Sequence, residues 1–241
     1  MNAVALSPKP DQVAELTRGL ILPLPPIADE VMLVLAESLI RAFEDLRKSA
    51  PATLAAGSEP EVTALLQARL NRMIDDDALW RTLVLYVGRG VDSVSFDGSH
   101  IEKKPDLSIS LSDRSARFPL AVEAKLIDCP KGKTETLYCS KGVKRFLNGE
   151  YGWGGREAFM LAYVRDGSTI AAKLAPLFAL PVNASAYALE AAPDGLGLTC
   201  DGARTRHGRG FIYTHVSAPA NTPGPIALWH LWLNASSVGA S

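Results

Sequence analysis

Two neighbouring stretches of this chain alternate with the period of a β-strand, and their apolar residues leave a single register in which they can pair. From Asp106 the residues run Asp106, Leu107, Ser108, Ile109, Ser110, Leu111, Ser112, with an apolar side chain at every second position, as in a half-buried strand. After a polar stretch at Asp113, Arg114, Ser115 and Ala116, a second strand is expected over Phe118–Ile127. Phe118, Leu120, Val122, Ala124 and Leu126 take one of its faces, and Ala121, Glu123, Lys125 and Ile127 take the other. Paired as a hairpin, Leu107 meets Val122, Ile109 meets Leu120 and Leu111 meets Phe118. A slip of one residue would turn the apolar set to the opposite face, so burial selects this pairing. Arg114-Ser115 lacks the Gly or Asn of a two-residue turn, which predicts a longer loop.

The same register sets Asp106 opposite Glu123. Cross-strand Cβ atoms lie about 4.5–5.5 Å apart, and Lys125 follows Glu123 on the same face at about 6.6–6.8 Å. Two carboxylates held side by side repel unless a proton or cation lies between them, and a hard divalent ion with oxygen ligands meets that need. Magnesium is the expected ion, with manganese as a substitute. Asp106 and Glu123 would hold it, with the backbone carbonyl of Ala124 as a further oxygen ligand. Lys125 would orient a water or stabilise developing charge on a phosphate. The alternative is a strand end with a surface Asp and an ordinary Glu/Lys pair. The apolar residues on both sides of Glu123 and Lys125 argue against it, because ionic groups in a buried run have a reason beyond solubility.

Pro105-Asp106 followed by Glu123-Ala124-Lys125 resembles the motif of the PD-(D/E)XK nuclease superfamily. The resemblance implies an α/β fold with a restriction-endonuclease-like core of helix, three strands, helix, strand, its mixed central sheet flanked by helices. Residues 58–165 are predicted in that order. A helix runs from Glu59 to about Ile74, and a strand lies near Leu83–Val87 or Ser93–Phe96. The two strands above follow, then a helix over Glu135–Leu147 and a buried strand over Ala158–Val164. The resemblance further implies a magnesium-dependent endonuclease acting on DNA in restriction, phage defence or repair, with Asp106, Glu123 and Lys125 catalytic. It leaves open a homodimer or a partner from a defence complex. A different class of reading is a non-catalytic or partner-activated nucleic-acid-binding or scaffold protein of the same fold.

A chain of 241 residues, 47% of them hydrophobic, can bury a full core. The expected division is an N-terminal helical segment and linker over residues 1–57, then a nuclease domain over 58–241 with extra C-terminal strands. Val31, Leu35, Leu39 and Phe43 recur at helical spacing within residues 28–48, and the small residues from Ala50 to Gly57 read as a hinge or linker. Pro23, Pro25, Pro26, Asp29 and Glu30 interrupt the apolar segment from Leu20 to Ile40, so neither a signal peptide nor a membrane span is expected. Cys129, Cys139 and Cys200 form no metal-ligand spacing, which fits reduced thiols in a cytoplasmic protein. His100, His207, His215 and His230 are scattered, and His215 and His230 read as satisfied core or edge histidines.

Two acidic residues of the first core helix, Glu59 and Glu61, are candidates to join the metal site. Ser58 with Glu61 is also a capping-box pattern, which accounts for Glu61 without catalysis. A net charge of −1 requires any nucleic-acid surface to be local. Lys141, Lys144 and Arg145 at helical spacing are one candidate surface, and Arg204, Arg206, His207 and Arg209 another. Lys103 and Lys104, beside the Asp106 strand, are candidates for backbone contact. The glycine-rich stretch around Tyr151 and Trp153 either covers the sheet edge or stacks on a base.

Overall fold

In the computed structural model, which describes residues 10–99, 103–213 and 222–236, the chain opens with helix α1 (Pro10–Thr17) and the long helix α2 (Asp29–Ser49). α2 buries Met32, Leu35, Leu39, Phe43 and Leu46 along one stripe, with Asp29 and Glu30 in its first turn and Arg47 and Lys48 in its last. Both charge sets complement the helix dipole. The stretch expected as a linker is instead a short helix, α3 (Pro51–Ala56). Pro51 pre-sets φ in its first turn, the alanines favour helix, and Leu54 is buried. The Arg165 side chain donates to the Leu54 and Gly57 carbonyls. Helix α4 (Glu59–Asp76) and helix α5 (Ala78–Leu83) follow. No helix among the described residues is long and apolar enough to cross a membrane.

The fold is mixed α/β. The described residues form one seven-stranded sheet, mostly antiparallel and flanked by helices. Its strands are β1 (Val84–Arg89), β2 (Leu107–Leu111), β3 (Leu120–Ile127), β4 (Glu157–Val164), β5 (Leu189–Gly195), β6 (Asp201–His207) and β7 (Ile226–Asn234), in spatial order β1-β2-β3-β4-β7-β6-β5. The pairs β3–β4 and β4–β7 are parallel. Between β3 and β4 the chain crosses through α6 (Glu135–Tyr138), a π-helical turn (Cys139–Val143) and α7 (Lys144–Leu147). Helices α8 (Ala175–Ala179) and α9 (Pro181–Ala186) precede β5. The C-terminal strands thus extend the same sheet, with β7 beside β4.

The expected register is present: Leu107 pairs with Val122 and Ile109 with Leu120. The third expected pair is not formed. Leu111 pairs with Val84 of β1, and β3 begins only at Leu120 because Pro119 has no N–H to give a ladder. Phe118 packs edge-on against Trp153, ring centroids 4.9 Å apart. One face of the sheet packs Leu107, Ile109, Val122 and Ala124 against α2 and α4. The other packs Ala121, Ile127 and Met160 against Tyr138, Val143 and Phe146. Ser108 and Ser110, which alternation would place in solvent, are buried as well.

His207 and His230 are core histidines, whereas His100 and His215 lie outside the described residues. Of the second basic candidate, Arg204, Arg206 and His207 lie on strand β6, where Arg204 pairs with Asp29, Arg206 pairs with Glu190, and His207 is fully buried. A chain of hydrogen bonds links the two rings. The Tyr187 carbonyl can only accept, so His207 Nδ1 carries its proton (2.8 Å) and Nε2 accepts from Thr205 Oγ1 (2.7 Å). Thr205 Oγ1 then accepts from His230 Nε2 (2.8 Å), and the single Tyr138 hydroxyl proton lies between His230 Nδ1 (2.7 Å) and the Met160 carbonyl (3.0 Å). Burial lowers His207 to about 4, and burial with the His207 ring lowers His230 to about 3.

Both folded values lie below the unfolded value of 6.5, so the unfolded chain takes up protons first as pH falls. The stability of the neutral pair is complete above about 6.5 and declines below it, on the order of 2 kcal/mol per histidine by about pH 4.5. Urea unfolding at neutral pH and at about pH 4.5 should show this loss, and His230→Gln should lose less between the two.

Candidate active site

The chain gathers its buried charge around one ammonium group. Lys125 Nζ lies 2.7 Å from Glu123 Oε1, 3.2 Å from Glu59 Oε1 and 3.5 Å from Asp106 Oδ2. It also donates to the Ala124 carbonyl at 2.6 Å. Three acidic side chains from three separate elements and one backbone oxygen therefore surround it. Burial alone would lower the Lys125 pKa, but Glu123, Asp106 and Glu59 outweigh it and hold the group above its ordinary value.

Each member is held by local structure. Asp106 stands just before β2, and its Oδ2 accepts the Ala124 N–H at 2.8 Å, which ties the start of β2 to β3. Glu59 occupies the first turn of α4, and its second oxygen accepts the Leu126 N–H at 2.9 Å. Glu61 turns the other way. Its carboxylate accepts the Ser58 N–H at 2.6 Å and the Ser58 hydroxyl at 2.7 Å as a capping box, so of the two acidic candidates only Glu59 reaches the site.

Glu123 sits in the middle of β3 and is 1% exposed. Burial, followed by the charge of Asp106, raises its pKa to about 7, against the lowering pull of Lys125. The Tyr151 hydroxyl donates to Glu123 Oε2, while Arg145 Nη1 stands 3.7 Å from Oε1. Lys125 approaches Oε1 as an ion-pair partner without the alignment of a hydrogen bond. The π-helical turn passes directly over this residue. A Cβ on Gly142 would lie 3.6 Å from Glu123 Cγ and collide with Met160 Cε at 2.6 Å, so glycine permits the close approach.

Tyr151 carries no motif of its own. The signal for it lies in its flanking glycines, because Gly149 (φ +70°) and Gly152 (φ +66°) take left-handed conformations and turn the loop so that its aromatic faces inward. Of the two readings of this loop, covering the sheet is the one observed: Tyr151 and Trp153 are both buried.

The basic candidates are dispersed. Lys103 pairs with Glu150 at 3.1 Å and Lys104 with Asp92 at 3.2 Å. Lys141 is exposed. Lys144 bonds the Ala186 carbonyl and lies over the Tyr187 ring, whereas Arg145 lies over Tyr151 near Glu123. Lys141 lies within the π-helical turn, and Lys144 and Arg145 in α7 after it. Two clefts adjoin the ammonium cluster instead. One contains Arg89 and Lys104 beside Asp106, and the other contains Lys131, Lys133 and Arg165 beside Glu59.

Among the described residues no three His, Cys, Asp or Glu side chains are grouped as a metal cage. The donors present are the two carboxylates of Asp106 and Glu123 and the Ala124 carbonyl, all hard oxygens suited to magnesium. Glu123 Oε1 is buried with the Lys125 ammonium 2.7 Å away, so positive charge already stands at this oxygen. Comparisons with family models, curated proteins and solved structures find no match.

A carboxylate held at about 7 against an ordinary 4.5 favours its neutral form in the folded protein. Its ionised form costs stability that grows as pH rises from about 4.5 to 7. In chelator, Glu123→Gln should therefore be more stable than the parent at pH 8, on the order of 2 kcal/mol, and no more stable at pH 5. Chemical denaturation at the two pH values measures the difference.

Proposed function

We propose that this chain is a magnesium-dependent nuclease that hydrolyses phosphodiester bonds of DNA. The observation that carries the reading is the convergence of Asp106, Glu123 and Glu59 on Lys125 Nζ. The order α4, β1, β2, β3, α6 with α7, then β4 supports a restriction-endonuclease-like core. Pro105-Asp106 precedes β2 and Glu123-Ala124-Lys125 lies on β3, a placement that supports that resemblance. Restriction, phage defence and repair are the settings it implies.

Asp106, Glu123 and the Ala124 carbonyl are the donors that would hold the magnesium ion, and manganese suits the same oxygens. A bound ion would neutralise phosphate charge and ease ionisation of the attacking water. Lys125 orients that water through Nζ and places positive charge where the phosphorane builds up negative charge. Glu59 steadies Lys125 from α4, and the Tyr151 hydroxyl fixes the rotamer of Glu123. Arg89 and Lys104 on one side and Lys131 and Lys133 on the other supply cationic contacts for a phosphate backbone crossing the site.

The same ammonium favours a second reading. With Lys125 filling the space between the carboxylates, the site is charge-compensated on its own, as in a protein that acts only after a partner rearranges it, or one that binds without cutting. Incubating the purified chain with plasmid, linear DNA and RNA, with magnesium, manganese or chelator, separates the two. Metal-dependent cleavage is expected, and no cleavage with either ion would leave the second reading.

Lys125→Ala should lower cleavage by about 10²–10³-fold, the scale of losing one electrostatic stabiliser, while circular dichroism and Tm report an intact fold. Asp106→Asn should abolish cleavage with magnesium and recover part of it with manganese. Unchanged rates for Lys125→Ala would move the active site elsewhere.

Binding makes a separate demand. Arg89 has no ion-pair partner among the described residues, and neither has Lys133. Removing both charges, as Arg89→Ala with Lys133→Ala, should reduce the slope of log K against log salt by about 1.8 for duplex DNA, about 0.9 per lost contact. An unchanged slope would assign these clefts to solvent.

A further inference from the structure

The Lys125 ammonium touches every oxygen that the metal would need. Its Nζ lies 2.6 Å from the Ala124 carbonyl, 2.7 Å from Glu123 Oε1 and 3.5 Å from Asp106 Oδ2, and these residues supply the three donors proposed for magnesium. An ammonium group and a hard divalent ion answer the same need, positive charge among oxygens, so they compete for one position. The fourth contact is different. Glu59 Oε1 stands 3.2 Å from Nζ and comes from helix α4, whereas the other oxygens belong to β3 and to the residue before β2. Lys125 has three N–H donors, so four oxygens are more than it can serve at once.

Glu59 is placed to receive the ammonium. Its Oε2 accepts the Leu126 N–H at 2.9 Å, which leaves Oε1 for Lys125. Its backbone carbonyl accepts from Thr63 Oγ1 at 2.8 Å, and Thr63 Oγ1 lies 3.1 Å from the hydroxyl of the fully buried Tyr163. Main chain and carboxylate are thus both tied to neighbouring structure and do not have to follow Lys125. Glu59 also lines the cleft that contains Leu126 and Lys133, so there is space on its side of the cluster. The flexible four-carbon stem of a lysine lets Nζ shift toward Glu59 while β3 stays in place. Charge favours retaining the ammonium after such a shift. When Glu123 is ionised, three carboxylates face it, and a divalent ion beside a retained ammonium balances them, with the partly exposed Arg145 further off at 3.7 Å from Glu123 Oε1.

We propose that Lys125 holds the metal position before a metal binds, and that Glu59 is its berth, a positioning residue that takes the ammonium when the metal enters. On this assignment Glu59 acts through Lys125 and is not a metal ligand. The shift leaves Nζ beside the metal position, where the nuclease reading needs it to orient a water. The proposal rests on that reading for the use of the metal, but the exchange itself is measured without cleavage.

Calorimetric titration of the full chain with manganese and with magnesium, in the absence of nucleic acid, tests the exchange. Lys125→Met keeps an unbranched side chain and removes the charge. It should bind both ions more tightly than the parent by about tenfold or more, the scale of one competing charge at contact distance. Glu59→Gln should bind them more weakly, and its loss should be about tenfold larger in the parent than in the Lys125→Met background, as for two residues that act as a pair. Circular dichroism and Tm identify the folded variants, and Lys125→Gln replaces Lys125→Met in the same cycle if the latter does not fold. Equal losses from Glu59→Gln in the two backgrounds would make Glu59 a ligand and overturn the proposal. Binding by the neutral Lys125 variant that is no tighter than the parent's overturns it as well, and so does the absence of binding of either ion to both. The expected pattern without cleavage of any DNA or RNA upholds the exchange and rejects the nuclease reading.

Discussion

The Lys125 ammonium makes the centre of this sheet tolerable. Glu123 lies on a strand that, Lys125 aside, is apolar on both faces, and an isolated carboxylate there would have to become neutral or distort the core. Lys125, two residues along the same strand, approaches from the same face, and Asp106 and Glu59 close around it from β2 and α4. The raised pKa of Glu123 shows that compensation is incomplete.

The surrounding fold serves this arrangement. The β2–β3 pairing brings Asp106 to the Ala124 N–H, and the parallel β3–β4 pair places Met160 beside Glu123. The helical crossover must then pass close above Glu123. It does so through a π-helical turn containing Gly142, where any side chain would strike Met160. The widened turn is thus a packing solution at the site, consistent with the tendency of such bulges to occur where function demands unusual geometry. The loop that follows delivers Tyr151 to the second oxygen of Glu123, so both carboxylate oxygens are held by groups from different parts of the chain.

Much of this was legible in the letters because strand pairing obeys a strict period. The alternation of Leu107 and Ile109 against Leu120 and Val122 admitted one register, and that register alone placed Asp106, Glu123 and Lys125 together. The helices over Asp29–Ser49 and Glu59–Asp76, and the helical span from 135 to 147, were legible for the same reason: their apolar residues recur at a spacing that only one conformation buries. Ser58 with Glu61 was legible as a cap because both partners lie within one turn. The choice between Glu59 and Glu61 was open in the letters, since both stand in the first turn and only the packing of α4 on β3 separates them. The linker reading of Ala50–Gly57 failed because small residues are equally good in a hinge and in a helix once Leu54 finds a core to enter.

By itself, then, the sequence determined the local periods, the hairpin register and the acidic and basic groups that the hairpin unites, all of which depend on residues near one another in the chain. Only the tertiary structure decided which distant groups complete the site: Glu59 across 66 residues from Lys125, and Tyr151 across 28 from Glu123. It also decided that Ser108 and Ser110 are buried. The physical reason is that periodicity reports which face of an element is apolar. It carries no information about which neighbour will cover the opposite face, because that is set by how whole elements pack.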